Sequence, residues 1–206
     1  GLIDTTGGKL AYVFTSFKSL DQISPQVFPR QALLTFSHLL YIRPAVISDM
    51  KIIFKTFLHK YQLPLKEADL QELIKLSGGH VQYLQLALII LNEEVKAGRQ
   101  IKTNDLFPLI ARDERIVLQS EEIWDSLQKS EHMVLKKVIN QLKLTQEDRL
   151  TARYLWDTGI VKESKDNQKV FSELFLDYLK QNHHPQLESS VELTKKEKAP
   201  IFTMRL

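Results

Sequence analysis

Leu76-Ser77-Gly78-Gly79-His80 separates two strongly apolar helical patterns, and no other stretch constrains the chain as much. Upstream, Met50, Ile53, Phe54, Phe57, Leu58 and Tyr61 recur at helical spacing. Downstream, Leu84, Leu88, Leu91 and Val95 do the same, with Leu86, Ile89 and Ile90 filling the other face. Two successive glycines free the backbone to leave a helix through a left-handed conformation and let another backbone or a ligand come close. The next helix N-terminus then presents its donors beside His80, where an anion or a polar base edge would be accommodated. A tight helix–helix corner with no ligand satisfies the same pattern.

The surrounding segments predict a mainly α chain, and a content of only seven glycines among 206 residues agrees. Ser48 is an expected N-cap with Asp49 at the positive end of the helix dipole, and that helix runs to about Tyr61 before Pro64. Residues 66–76 carry Leu70, Leu73 and Ile74 on one face. His80 or Val81 opens a helix that ends near Lys96 and Gly98. Thr103 or Asn104 caps another that runs towards Gln119, with Pro108 tolerated only in its first turn. Residues 48–118 therefore read as a small helical subdomain.

In residues 119–184, Ile123, Trp124 and Leu127 begin a new cluster. A helix capped by Ser130 carries Leu135, Val138, Ile139 and Leu142, and one capped by Thr145 carries Arg149, Arg153, Leu155 and Trp156 and ends at Gly159. Residues 160–165 and 168–171 flank a turn at Asp166-Asn167 and predict a two-stranded hairpin. Ser172 caps a last helix with Leu174, Phe175, Tyr178 and Leu179. Helices, a hairpin wing and a closing helix make a winged-helix domain.

Residues 1–47 read differently. Lys9 to Thr15 is a short, nearly continuous apolar run, as in a parallel strand buried on both faces, and its partners are either absent from this chain or limited to residues 39–42. Thr15 and Ser16 would stand at that strand's C-terminal tip, where ligands bind in open α/β sheets; Ser16 opening a turn is the simpler alternative. Gly7-Gly8-Lys9 is not a phosphate loop, because Ile3 and Leu10 occupy positions where that motif needs glycine and Ser or Thr.

Ala11 to Ser16, Tyr41-Ile42-Arg43-Pro44, Asp49 with its helix and Leu76-Ser77-Gly78-Gly79-His80 occur in an order that resembles the second half of a STAND-type or AAA+-type ATPase module. Trp124-x-x-Leu127, Leu155-x-x-x-Gly159-Ile160-Val161 and Phe171-Ser172-x-x-Phe175 resemble the winged helix that follows the lid in many such ATPases. The resemblance implies the end of an α/β core over 1–47, a helical lid over 48–118, a winged helix over 119–184 and a polar linker over 185–206. By it, Thr15 or Ser16 is the sensor position, and Gly78, Gly79 and His80 form the lid corner beside ATP or ADP. Val81 stands where that family usually has proline. Magnesium would come with the phosphate loop and acidic strand, which this sequence does not contain. Residues 191–197 weakly resemble the opening of a response-regulator effector domain.

The resulting expectation is a regulatory piece of a nucleotide-switched ATPase, not catalytic on its own, whose lid closes over ATP and re-aims the winged helix for signalling or transcription control. Its partner would be the ATPase core or another protein. A winged-helix protein on double-stranded DNA is the alternative, with Arg149 and Arg153 on the recognition helix and Lys162, Lys165 and Lys169 on the wing. Glu147, Asp148, Asp157, Glu163 and Asp166 lie among those cations, whereas duplex-binding faces are clearly basic. A rigid, non-catalytic adaptor is the third. With no cysteine, disulfides, thiolate zinc sites and cysteine nucleophiles are excluded. His59 and His132 read as helix-surface residues and His183-His184 as a solvent-exposed pair. No apolar run spans a bilayer and no signal-peptide pattern opens the sequence, so a cytoplasmic location is expected.

Overall fold

The first long helix begins at Ile47, just ahead of the apolar periodicity that opens at Met50. In the computed structural model, which describes residues 7, 13–16, 18–163 and 167–183, helix is the dominant element and a single two-stranded sheet is present. The chain divides into two compact units, 1–41 and 42–206.

The first unit contains two short helices, α1 (Leu20–Ile23) and α2 (Arg30–Phe36). An ion pair joins Arg30 to Asp21 at 3.4 Å. The expected strand over 9–15 does not form in its described part: residues 13–16 are irregular and exposed, Thr15 and Ser16 included. Residues 39–42 are likewise irregular, with Leu40 and Ile42 almost fully exposed. A strand of this apolar kind is held by neighbouring strands, and among the described residues no strand pairs with either segment. The start of the expected strand, residues 9–12, lies outside the described residues.

In the second unit, α3 (Ile47–Tyr61), α4 (Glu67–Ser77) and α5 (Val81–Lys96) pack on one another through Met50, Phe54, Leu73, Leu76, Leu84 and Leu88, all but fully buried. Helix α3 starts one residue before the expected cap. Val46 is its N-cap, and the Ser48 hydroxyl donates to Asp49 Oδ1 at 3.2 Å instead. Asp69 anchors α4 from within: it accepts from the Lys66 N–H at 2.8 Å and from Thr103 Oγ1 at 2.6 Å, so a buried carboxylate ties this N-terminus to the 3₁₀ turn Thr103–Asp105.

The helix expected over 103–119 is broken in two, α6 (Leu106–Ala111) and α7 (Glu114–Asp125). Asp113 causes the break by capping α7, accepting from the Arg115 N–H at 3.0 Å. Pro108 sits in the first turn of α6, where its missing N–H costs nothing. α8 (Lys129–Ile139) follows, capped at Gln128 rather than Ser130, with Glu131 accepting from the Gln128 N–H at 2.7 Å.

Thr145 caps α9 (Gln146–Thr151) as expected, and a break at Ala152-Arg153 leaves a short α10 (Tyr154–Asp157) before Gly159. Strands β1 (Val161–Glu163) and β2 (Gln168–Val170) pair antiparallel, Lys162 opposite Lys169. Lys165 and Asp166 lie outside the described residues. Ser172 caps α11 (Glu173–Asn182), accepting from the Leu174 and Phe175 N–H groups. Helix α11 packs on α4, α6, α7, α8 and β2, and one apolar core runs from Met50 to Leu179. The tail 185–206 lies outside the described residues. Among the described residues no helix is long and apolar enough to cross a membrane.

Candidate functional site

Helix α4 ends in a residue sequence that forces its carbonyls to find partners elsewhere. Gly78 adopts φ +60°, and its N–H donates to Ile74 O and Lys75 O at 3.1 Å. Leu76 O accepts from the Ser172 hydroxyl at 2.7 Å, a buried bond across 96 positions of sequence. The same hydroxyl caps α11, so Ser172 stitches the end of one helix to the start of another.

Both glycines are demanded by backbone on either side. A side chain at Gly78 would overlap the carbonyl of Phe171, where the hairpin leaves for α11. One at Gly79, φ +93°, would overlap the carbonyl of Ala45, and Ala45 N–H donates to Gly79 O at 2.8 Å. The Lys162 ammonium on β1 donates to Gly78 O at 2.9 Å, and desolvation holds it below the usual lysine range. The corner is therefore clamped between the segment entering α3 and the hairpin.

His80 caps α5 through its ring. Nδ1 accepts from the Tyr83 N–H at 3.3 Å, which requires an unprotonated Nδ1. The ring packs against Tyr83 and Phe171, with centroids 4.8 and 5.7 Å away. Burial pushes its pKa below the ordinary histidine value of 6.5. The unfolded chain thus binds a proton in a window just below pH 6.5 where the folded chain does not, and stability falls as pH drops through that window. A His80→Asn variant, whose cap does not titrate, should show a shallower loss of thermal stability between pH 7.5 and 5.5. An unchanged slope would show that His80 does not titrate with folding. His183, also shifted down by burial and by Lys136, keeps the residual slope from reaching zero.

A groove of about 920 Å³ opens beside this corner. Gly78, Gly79, Ala45, Ile47, Met50 and Ile74 line it, with Lys51, Lys75 and Lys162 among its charged walls. Gly78 and Gly79 thus meet in one concavity, while His80 is not among the groove's lining residues. Thr15 and Ser16 belong to the other unit; the Ser16 hydroxyl donates to Lys18 O at 2.5 Å.

Arg149, Arg153 and Lys162 share a second cleft, in which Arg149 pairs with Glu163 at 2.5 Å. Arg153 pairs with Asp157 at 3.4 Å. The structure also adds Arg43, which the sequence places in a family-like stretch but not among the candidate site residues: its Nε donates to Asp157 O at 2.8 Å. His59 is exposed as expected, but His132 and His183 are half-buried and stack on Trp124 at 3.7 and 3.9 Å. Nothing in the local pattern marks that cluster, because its members lie on three separate elements. Among the described residues no group of three or more His, Asp or Glu side chains is placed to hold a metal ion.

A family model described as an AAA-like domain matches residues 52–181, well over half of the chain. No curated protein and no solved structure matches it.

Proposed function

Since the chain belongs to the AAA-like domain family, we propose that it is the regulatory part of a nucleotide-switched ATPase module, with residues 48–118 as a lid and 119–184 as a winged helix, α7 running across the boundary between them. ATP or ADP would occupy the groove at Gly78-Gly79, and lid movement would re-aim the winged helix. The observation that carries this is the clamped corner. Gly78 O is held by Lys162, Leu76 O by Ser172, and Gly79 O by the Ala45 N–H. Displacing the corner breaks contacts to the hairpin directly, so a ligand with different affinity for two corner positions would shift the hairpin as well. The groove's volume suits a small-molecule ligand, and its apolar walls with a few lysines suit a base bearing phosphates.

With no phosphate loop among these 206 residues, turnover of ATP by this chain should be undetectable. Titrating millimolar ATP while recording backbone amides tests the reading. Shifts at Ser77–Val81 accompanied by shifts at Lys162, Phe171 and Ser172 are expected. Amides at the corner that stay put, or that move without the hairpin, would overturn it.

A further inference from the structure

Lys162 and Pro44 line the apolar groove and also the second cleft, of about 670 Å³. The cleft's charged walls are Arg43, Arg149, Arg153, Lys162 and Glu163, and Trp156 contributes its indole. Four cations thus meet one carboxylate there, or two when Asp157, the partner of Arg153, is counted. An excess of positive charge in a concave site concentrates anions.

Two of the three guanidinium groups are already positioned. Arg43 is held by its Nε on the Asp157 carbonyl, and its terminal nitrogens make no hydrogen bond among the described residues. Arg149 lies 5.9 Å from the centre of the Trp156 ring and pairs with Glu163 at the rim. The side chain of Arg153 is 63% exposed, so its single contact with Asp157 is a loose one. Trp156 lines the cleft with its ring, while its Nε1 is buried and has no hydrogen-bond partner among the described residues.

We propose that this cleft binds a small phosphate-bearing ligand, with Arg43 and Arg153 taking the phosphate beside the Trp156 ring. Planar guanidiniums match phosphate oxygens in pairs; Arg43, held beforehand, loses little freedom on binding, and Arg153 is free to turn onto the anion. A small ligand is favoured over duplex DNA by the shape. The cations come from three separated segments and face into a cavity, with Glu163 at its edge, whereas a duplex rests on a protruding helix and wing. Lys162 connects this cleft to the glycine corner, so the bound anion would compete with Gly78 O for the same ammonium. The site adjoins the nucleotide groove through Pro44 and Lys162 and differs from it in Arg43 and Arg153, which line only the cleft.

Inorganic pyrophosphate is the probe, and the indole N–H resonances of the two tryptophans are the readout, assigned with Trp156→Phe. Pyrophosphate at millimolar concentration should shift the Trp156 signal saturably and leave the Trp124 signal in place. Arg153→Gln, an exposed change that leaves the fold intact, should weaken binding about tenfold, and Arg43→Gln similarly. Three outcomes overturn the proposal: no saturable shift of the Trp156 signal, affinity unchanged in both variants, or a DNA duplex moving the same signal at lower concentration than pyrophosphate.

Discussion

Gly78→Ala is expected to cost ~2–5 kcal/mol of unfolding free energy, measured by urea denaturation, and so to consume much of the stability of an ordinary domain. Two effects add. Alanine is strained at φ +60°, by about 1–2 kcal/mol. Its Cβ would also overlap the Phe171 carbonyl, and that atom is backbone, so relief requires moving the hairpin exit away from α4. Gly98→Ala supplies the comparison. Gly98 has φ +76° but nothing within 4 Å of an added Cβ, so only the conformational strain applies, about 1 kcal/mol. If both variants lost the same small amount, the close approach at the corner would not hold in solution, and the mechanical basis of the proposed relay would go with it.

Phe175→Ala should be nearly as damaging, at about 3–5 kcal/mol, because the removed ring leaves a cavity that fixed neighbours cannot fill. Phe175 is fully buried, with Phe171 and Tyr178 ring centres 5.7 and 6.3 Å away. It sits on α11, the helix that packs against α4, α6, α7, α8 and β2. The single core from Met50 to Leu179 therefore predicts one cooperative melt in which all the helices from α3 onward are lost together. Two resolved transitions by circular dichroism, with only the later one shifted by Phe175→Ala, would show that the α3–α5 and hairpin regions are energetically independent.

These two side chains illustrate different degrees of legibility. Phe175 announces itself: Leu174, Phe175, Tyr178 and Leu179 fall on one helical face behind a serine cap, and the structure buries Leu174, Phe175 and Leu179. The same holds for Met50, Phe54, Leu84, Leu88 and Leu91, for the Thr145 cap, and for the hairpin at 161–170. Each is a local pattern, with a period or a cap decided within a few residues. The break at Asp113 escapes such reading because a long apolar pattern continues through it, and only the Asp113–Arg115 contact stops the helix. The described residues 13–15 of the expected strand, and residues 39–42, stay irregular for the opposite reason, since apolar β-favouring residues do not pair without a neighbouring strand.

The glycine corner divides along the same line. Its two left-handed residues, the end of α4 and the start of α5 behind His80 follow from Ser77-Gly78-Gly79-His80 alone, because glycine frees the backbone and helices need caps. What occupies the space a side chain would take is decided by residues far along the chain, Ala45 on one side and Phe171 on the other. The same is true of Lys162 on Gly78 O, 84 positions away, and of Arg43 beside Asp157, 114 positions away. Periodicity and capping act over one or two helical turns and leave their mark in adjacent residues. Contacts between distant segments are selected by shape and charge only once the core has closed, and so they belong to the tertiary structure.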